Sequence, residues 1–216
     1  IINGGVYNKP HTIQKIVMQD GTVVYPEQQN VKVLSTGSAY LVSELMNYAV
    51  EGPYFNYMQV LSKGRDYPVY AKTGTSDWAK DGLVFNIPRG AAKDKWMISS
   101  TSQYTNAVWV GYDKGIKDKG TYFNSYKSSL NLTGKINVML LDAVEEISPT
   151  KPTAIERPND IEDITYILGS YPYAYPDGTH QTVTAEIRKG HPALTDVSKS
   201  YYGSTNLTLG GINVNM

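Results

Sequence analysis

The chain has 216 residues, with 20 Lys+Arg against 20 Asp+Glu, no cysteine, and three scattered histidines, His11, His180 and His191. That length suits one large domain or a domain with an appendage, and zero net charge removes any general attraction to nucleic acid or anionic lipid. No thiol nucleophile, disulfide or zinc knuckle is possible, the histidines lack metal-site spacing, and no apolar run reaches the roughly 18 residues of a membrane span, so no metal, cofactor or nucleic-acid partner is expected.

Ile1-Ile2-Asn3-Gly4-Gly5 opens without an initiator Met and reads as the C-cap of a helix whose body lies elsewhere, so the chain is expected to be a piece of a longer protein. Thr12 to Met18 and Thr22 to Tyr25 are β-rich runs around Gln19-Asp20-Gly21, a hairpin signal. Ser35 or Ser38 caps a helix running to about Glu51, with Val42, Leu45, Met46 and Ala49 on its apolar face and Gly52-Pro53 as its stop. Pro68 to Thr75 reads as a strand. Trp96 to Thr101 and Ala107 to Tyr112 read as two more, joined by a turn around Tyr104-Thr105-Asn106. A second helix is expected over about Gly134 to Ile147, with Ile136, Leu140, Val144 and Ile147 at core spacing.

Beyond Ile147 the texture changes. Residues 148–158, with Pro149, Pro152 and Pro158, form a Pro-rich linker. Residues 159–216 are rich in Tyr, Gly, Thr and Asn, which predicts a small β-rich appendage with little core of its own. Asp160, Glu162 and Asp163 lack cation-loop spacing and read as a solvated acidic turn. Tyr171, Tyr173 and Tyr175 alternate, so their rings share one face; packing against the main domain is the expectation, a glycan platform the alternative. His180 and His191 read as surface residues.

The sharpest chemical signal is Lys72-Thr73-Gly74-Thr75 at the end of the Pro68 strand. A lysine supplies fixed positive charge for a carboxylate, and the hydroxyls of Thr73 and Thr75 donate to the same anion. Gly74 leaves the strand edge open to a substrate backbone, and the Thr75 N–H suits an oxyanion hole. K-T-G is the third element of a set that also contains S-x-x-K and S-D-N. Around it stand Asn3 to Pro10, Asp20-Gly21-Thr22, the helix ending Val50-Glu51-Gly52, Ala71 to Ser76, Trp96-Met97-Ile98 and Ala107 to Asp113. In this order the chain, over about residues 1–147, resembles the C-terminal half of the transpeptidase domain of class A (bifunctional) penicillin-binding proteins of Gram-positive bacteria.

The resemblance implies an α+β fold, an antiparallel sheet packed with helices, with the small β-rich tail added. It implies a serine D,D-transpeptidase that cross-links peptidoglycan stem peptides through an acyl-enzyme and binds β-lactams covalently. Lys72 and Thr75 would be catalytic, and Thr73, Gly74 and Thr75 would bind substrate. The implied location is the extracytoplasmic face of the cell membrane, with the anchor in a segment outside this chain. Neither S-x-x-K nor S-x-N occurs before Lys72. Ser148-Pro149-Thr150-Lys151 fits the first pattern, but Pro152 forbids its helix; Ser129-Leu130-Asn131 and Ser204-Thr205-Asn206 fit the second but follow K-T-G. The nucleophile is therefore expected on the remaining N-terminal part of the same protein. The stretch Ser76 to Lys95 is a long excursion holding Trp78, Lys80, Arg89, Lys93 and Lys95. A surface excursion is the first expectation, and a cleft flap that brings Trp78 to substrate is the second. A D,D-carboxypeptidase or β-lactamase, and a non-catalytic penicillin-recognising sensor or wall-binding module, are the alternative functions.

Overall fold

The computed structural model describes residues 1–190 apart from 28 and 172, together with the backbone of 207–209 and 212–214. His191 and the Ser204-Thr205-Asn206 match lie outside the described residues. The strands are β1 (Val6–Asn8), β2 (Ile16–Val17), β3 (Val23–Val24), β4 (Asn30–Lys32), β5 (Tyr70–Asp77), β6 (Ala92–Ser100), β7 (Thr105–Gly111), β8 (Ile161–Ile167), β9 (Thr182–Arg188), β10 (Leu207–Leu209) and β11 (Ile212–Val214). The helices are α1 (Thr36–Glu51), α2 (Asp81–Val84), α3 (Ser125–Ser129) and α4 (Leu132–Ile147). This is the expected α+β fold with antiparallel sheets.

The central sheet is β5-β6-β7, antiparallel throughout, with β5 on one edge. One face carries Ala71 and Met97 into the main core, where they meet Val50 of α1, Leu61, Val69 and Leu141 of α4. The turn closing β6 onto β7 is built by Thr101, whose Oγ1 accepts from the N–H groups of Gln103 and Tyr104. The hairpin of β2 and β3 is present but shorter than its β-rich sequence suggests, with Asp20 capping Thr22 N–H and Gly21 at positive φ. The pairing of β1 with β4 around it is long-range, and carries no local turn signal.

Both long helices form where expected, each turned about its axis from its most apolar stripe. Ser35 caps α1 by accepting from Ser38 N–H. The side buried is Ala39, Tyr40, Ser43 and Val50, whereas Leu45 is 70% exposed. Asn131 caps α4, and its interior face is Thr133, Asn137 and Leu141; Ile147 is 76% exposed. Asn137 lies inside because it donates to Met97 O and Thr133 O and accepts from Ser99 Oγ, which satisfies an amide that would otherwise be costly to bury. Arg65 fastens the segment before β5 to α4. Its guanidinium donates to Leu61 O and Val138 O and pairs with Asp142.

Residues 148–158 are not a loose linker. Thr150 accepts from Gln103, Thr153 N–H donates to Ser102, Ile155 N–H donates to the buried Tyr70 hydroxyl, and Lys151 pairs with Asp66. Beyond them β8 and β9 form a hairpin, and β9 packs against α1, where Tyr40 OH donates to Glu186 at 3.3 Å. Two of the three acidic residues are paired, Asp160 to Arg188 of β9 and Asp163 to Arg157 just before β8. The three alternating tyrosines are not buried. Tyr171, Tyr173 and Tyr175 are 68%, 47% and 51% exposed, and Ala174 is fully buried. Tyr173 meets Tyr166 of its own hairpin, ring centroids 4.7 Å apart, rather than a ring of the main domain. Asp177, which turns the chain before β9, pairs with His180 and accepts from the N–H groups of Thr179 and His180; those bonds hold its carboxyl well below the usual carboxylate range.

Candidate active site on the edge strand

Lys72-Thr73-Gly74-Thr75 lies in the middle of β5, paired on one side with Ile98, Met97, Trp96 and Lys95 in that order. Its other edge carries no strand among the described residues. Side chains alternate along a strand, so Lys72 and Gly74 turn to one face, and Thr73 and Thr75 to the other. Lys72 lines one hollow, and Thr73 and Thr75 line another.

On the first face, Lys72 opens into a broad hollow of about 720 Å³ shared with Val42 and Met46 of α1, Ile98, Tyr104 and the N-terminal Ile1 and Ile2. The Lys72 ammonium donates to its neighbour's carbonyl, Thr73 O, at 2.7 Å. Alongside, Trp96 and Trp109 pair with centroids 6.3 Å apart, both half exposed. Gly74 leaves Trp96 room, because a Cβ there would come within 3.3 Å of the Trp96 Cβ. Asp94 ties the end of the face together. It accepts from Ser76 Oγ at 2.5 Å and from Trp109 Nε1 at 3.0 Å. The Ser76 hydroxyl first, then the indole N–H, hold its carboxyl below the usual carboxylate range.

On the second face, Thr73 and Thr75 line a smaller pocket of about 130 Å³ with Lys95, Lys127, Ser128 and Asn131. Sequence reasoning missed this pocket entirely, since α3 and the start of α4 reach it from 50 residues downstream.

Trp78 is elsewhere. It is only 5% exposed and packs with Ile87 and Ala91, and edge-on to Phe85. Gly115 must be glycine for the ring to fit, since a Cβ there would lie 2.9 Å from the indole. Trp78 is thus the core of the Ser76 to Lys95 excursion, and the expectation that it touches substrate is withdrawn. Burying one large ring is what gives this excursion a fixed shape.

Comparison with known proteins bears on the same residues. The model of the penicillin binding protein transpeptidase domain matches residues 1–136. The chain belongs to that family. Among its relatives, penicillin-binding protein 1A/1B of Bacillus subtilis is 28% identical over 202 residues, 92% of this chain and 21% of its own length. Penicillin-binding protein 1A of Streptococcus oralis is 29% identical over 117 residues, 51% of this chain and 17% of its own. Penicillin-binding protein 1A of Mycobacterium tuberculosis is 32% identical over 113 residues, 51% of this chain and 12% of its own. The chain thus spans about a fifth or less of the length of these curated relatives. The penicillin-binding match ends inside α4, yet Leu141 beyond it is part of the main core, so the folded unit continues past the matched residues. Among the described residues no helix is long and apolar enough to cross a membrane.

Proposed function

We propose that this penicillin-binding chain is one wall of a serine D,D-transpeptidase site whose nucleophile lies on another segment of the same protein. The reading rests above all on where Lys72 points. Its ammonium stands in a hollow walled by Val42, Met46 and Ile98, with Trp96 and Trp109 half exposed beside it. An exposed apolar sheet face of this kind marks a surface for another segment or partner. A segment carrying S-x-x-K and S-x-N would cover it and bring its serine to Lys72.

The complete site would then act by covalent catalysis. The serine oxygen attacks the penultimate D-Ala carbonyl of a stem peptide, the C–N bond to the last D-Ala breaks, and that residue leaves as the free amino acid. A neighbouring stem's amine attacks the acyl-enzyme and regenerates the serine. A β-lactam enters the same path, its ring amide opening onto the serine. Lys72 stabilises the site's charge, Thr73 and Thr75 bind the substrate carboxylate, the Thr75 N–H stabilises the oxyanion, and Gly74 keeps the edge approachable. Residues 1–147 form the transpeptidase part, and 159–216 an appendage to it. The protein works at the extracytoplasmic face of the membrane, held there by a segment outside this chain.

The test is Lys72→Ala in the full-length protein. Acylation by a labelled penicillin should slow at least about tenfold, which is roughly 1.4 kcal/mol of barrier. An unchanged rate in a folded variant contradicts the reading.

A further inference from the structure

The excursion's basic residues are not all surface ornament. Lys95 stands directly opposite Thr75 in the pairing of β5 with β6, and it lines the same small pocket as Thr73 and Thr75. Two lysines and no acidic residue line that pocket, so its field is positive. The two cations are in different states. Lys127 is committed: its ammonium donates to Gly120 O, to Tyr122 O at 3.0 Å and to Tyr112 OH at 3.4 Å, beneath the Tyr112 and Tyr122 rings. Asn131 is also committed, donating to Tyr57 O and accepting from Gly134 N–H. Lys95, Thr73, Thr75 and Ser128 have no side-chain hydrogen-bond partner among the described residues. The nearest carboxylate in sequence, Asp94, turns to the opposite face and is held by Ser76 and Trp109.

We infer that Lys95 is a specificity-determining residue, whose ammonium joins the Thr73 and Thr75 hydroxyls in holding one carboxylate of the acyl donor. Lys95, Thr73 and Thr75, with Ser128 as a fourth unpaired donor, around about 130 Å³ suit a carboxylate with a carbon or two behind it. The Lys127 charge, fixed by its carbonyl partners, adds attraction without giving up a bond. Lys72, on the other face of β5, is left free for the charge network of the serine. This inference rests on the transpeptidase reading and adds a second cation to it, with a separate task. The carboxylate is that of a stem-peptide terminus or the ring carboxylate of a β-lactam, which share this chemistry.

The experiment compares acylation of the full-length protein by benzylpenicillin and by its methyl ester, in wild type, Lys95→Met, Lys95→Arg and Lys72→Ala. Methionine keeps the packing of the lysine stem and removes only the charge. Lys95→Met should slow the free acid about tenfold and the ester less than about twofold, so the preference for the acid collapses. Lys95→Arg should hold the acid within about threefold of wild type. Repeating the acid reaction with a D-alanyl-D-alanine peptide and its C-terminal amide should give the same pattern for the natural carboxylate. An unchanged acid-to-ester ratio in Lys95→Met, or an equal loss on both, overturns the inference. Failure of the reading beneath it looks different: Lys72→Ala would then match wild type on both compounds.

Discussion

Ser99 Oγ donates to Asn137 Oδ1 at 2.8 Å, with both residues fully buried between β6 and α4. The same amide donates to Met97 O, in the strand that pairs with Lys72-Thr73-Gly74-Thr75. One polar side chain on α4 therefore sets the height of β6, and β6 sets the register of the site strand.

Asn137→Leu should cost about 2–3 kcal/mol, because the Ser99 hydroxyl and a second lone pair demand go unmet in a dry interior. The double variant with Ser99→Ala should cost less than the two singles together. Urea unfolding of the four proteins checks both statements; strict additivity would mean that the pair does not interact.

Removing Trp78 should unmake the excursion. Trp78→Ala leaves Ile87, Ala91 and Tyr122 around an empty space, at a cost of about 3–5 kcal/mol. Limited proteolysis should cut within residues 79–93 far sooner than in wild type. Were Trp78 a substrate contact instead, the variant would resist proteolysis as wild type does and lose only penicillin acylation.

Acid should release Asp94 late. Its folded carboxyl lies below the usual carboxylate range, so the stability it contributes is fully present above the unfolded value near about 3.9 and is lost as pH falls through the lower folded value. Trp109 donates its indole N–H to this carboxylate, so its fluorescence should report the change with a midpoint below about 3.9. Asp94→Asn should abolish that transition; a midpoint at the ordinary value would mean that the Ser76 and Trp109 bonds do not persist in solution.

The contact between α1 and β9 should weaken with rising pH. Glu44 is pushed up, first by burial and then by Glu186 and Glu51, while Tyr40 is pushed up to about 12, chiefly by burial and then by Glu44 and Glu186. A raised carboxyl favours the folded state below its unfolded value and loses that contribution as pH rises through the folded one. Arg157, which pairs with Glu186, offsets part of the repulsion. Glu44→Gln should therefore match wild type near pH 4 and exceed it near pH 8 in urea midpoint. Equal midpoints at both pH values would remove Glu44 from this contact.

Much of this was legible in the residues. Ser35 and Gly52 mark α1, because caps are local chemistry, whereas the Asn131 cap of α4 was found only in the structure. Lys72-Thr73-Gly74-Thr75 marks the site strand for the same reason. The helix faces were not legible: Asn137 of α4 is buried because its amide finds a partner on β6, and Leu45 of α1 is exposed although it stands on the apolar stripe. Lys127 and Ser128 reach Thr75 only through the path of α3 and α4, and no local pattern announces that. Residues 148–158 look like a linker by their prolines, yet the buried Tyr70 hydroxyl accepts from one of their N–H groups.

The central claim is that the nucleophile is not in this chain, and mapping a penicilloyl adduct tests it most directly. Full-length protein would be acylated with benzylpenicillin and digested, and the modified residue located by mass spectrometry, with this chain treated alone in parallel. The account predicts a single adduct, on a serine of an S-x-x-K sequence outside these 216 residues, and no labelling of the isolated chain. An adduct on any serine or threonine within the chain, or stoichiometric labelling of the chain alone, would contradict it.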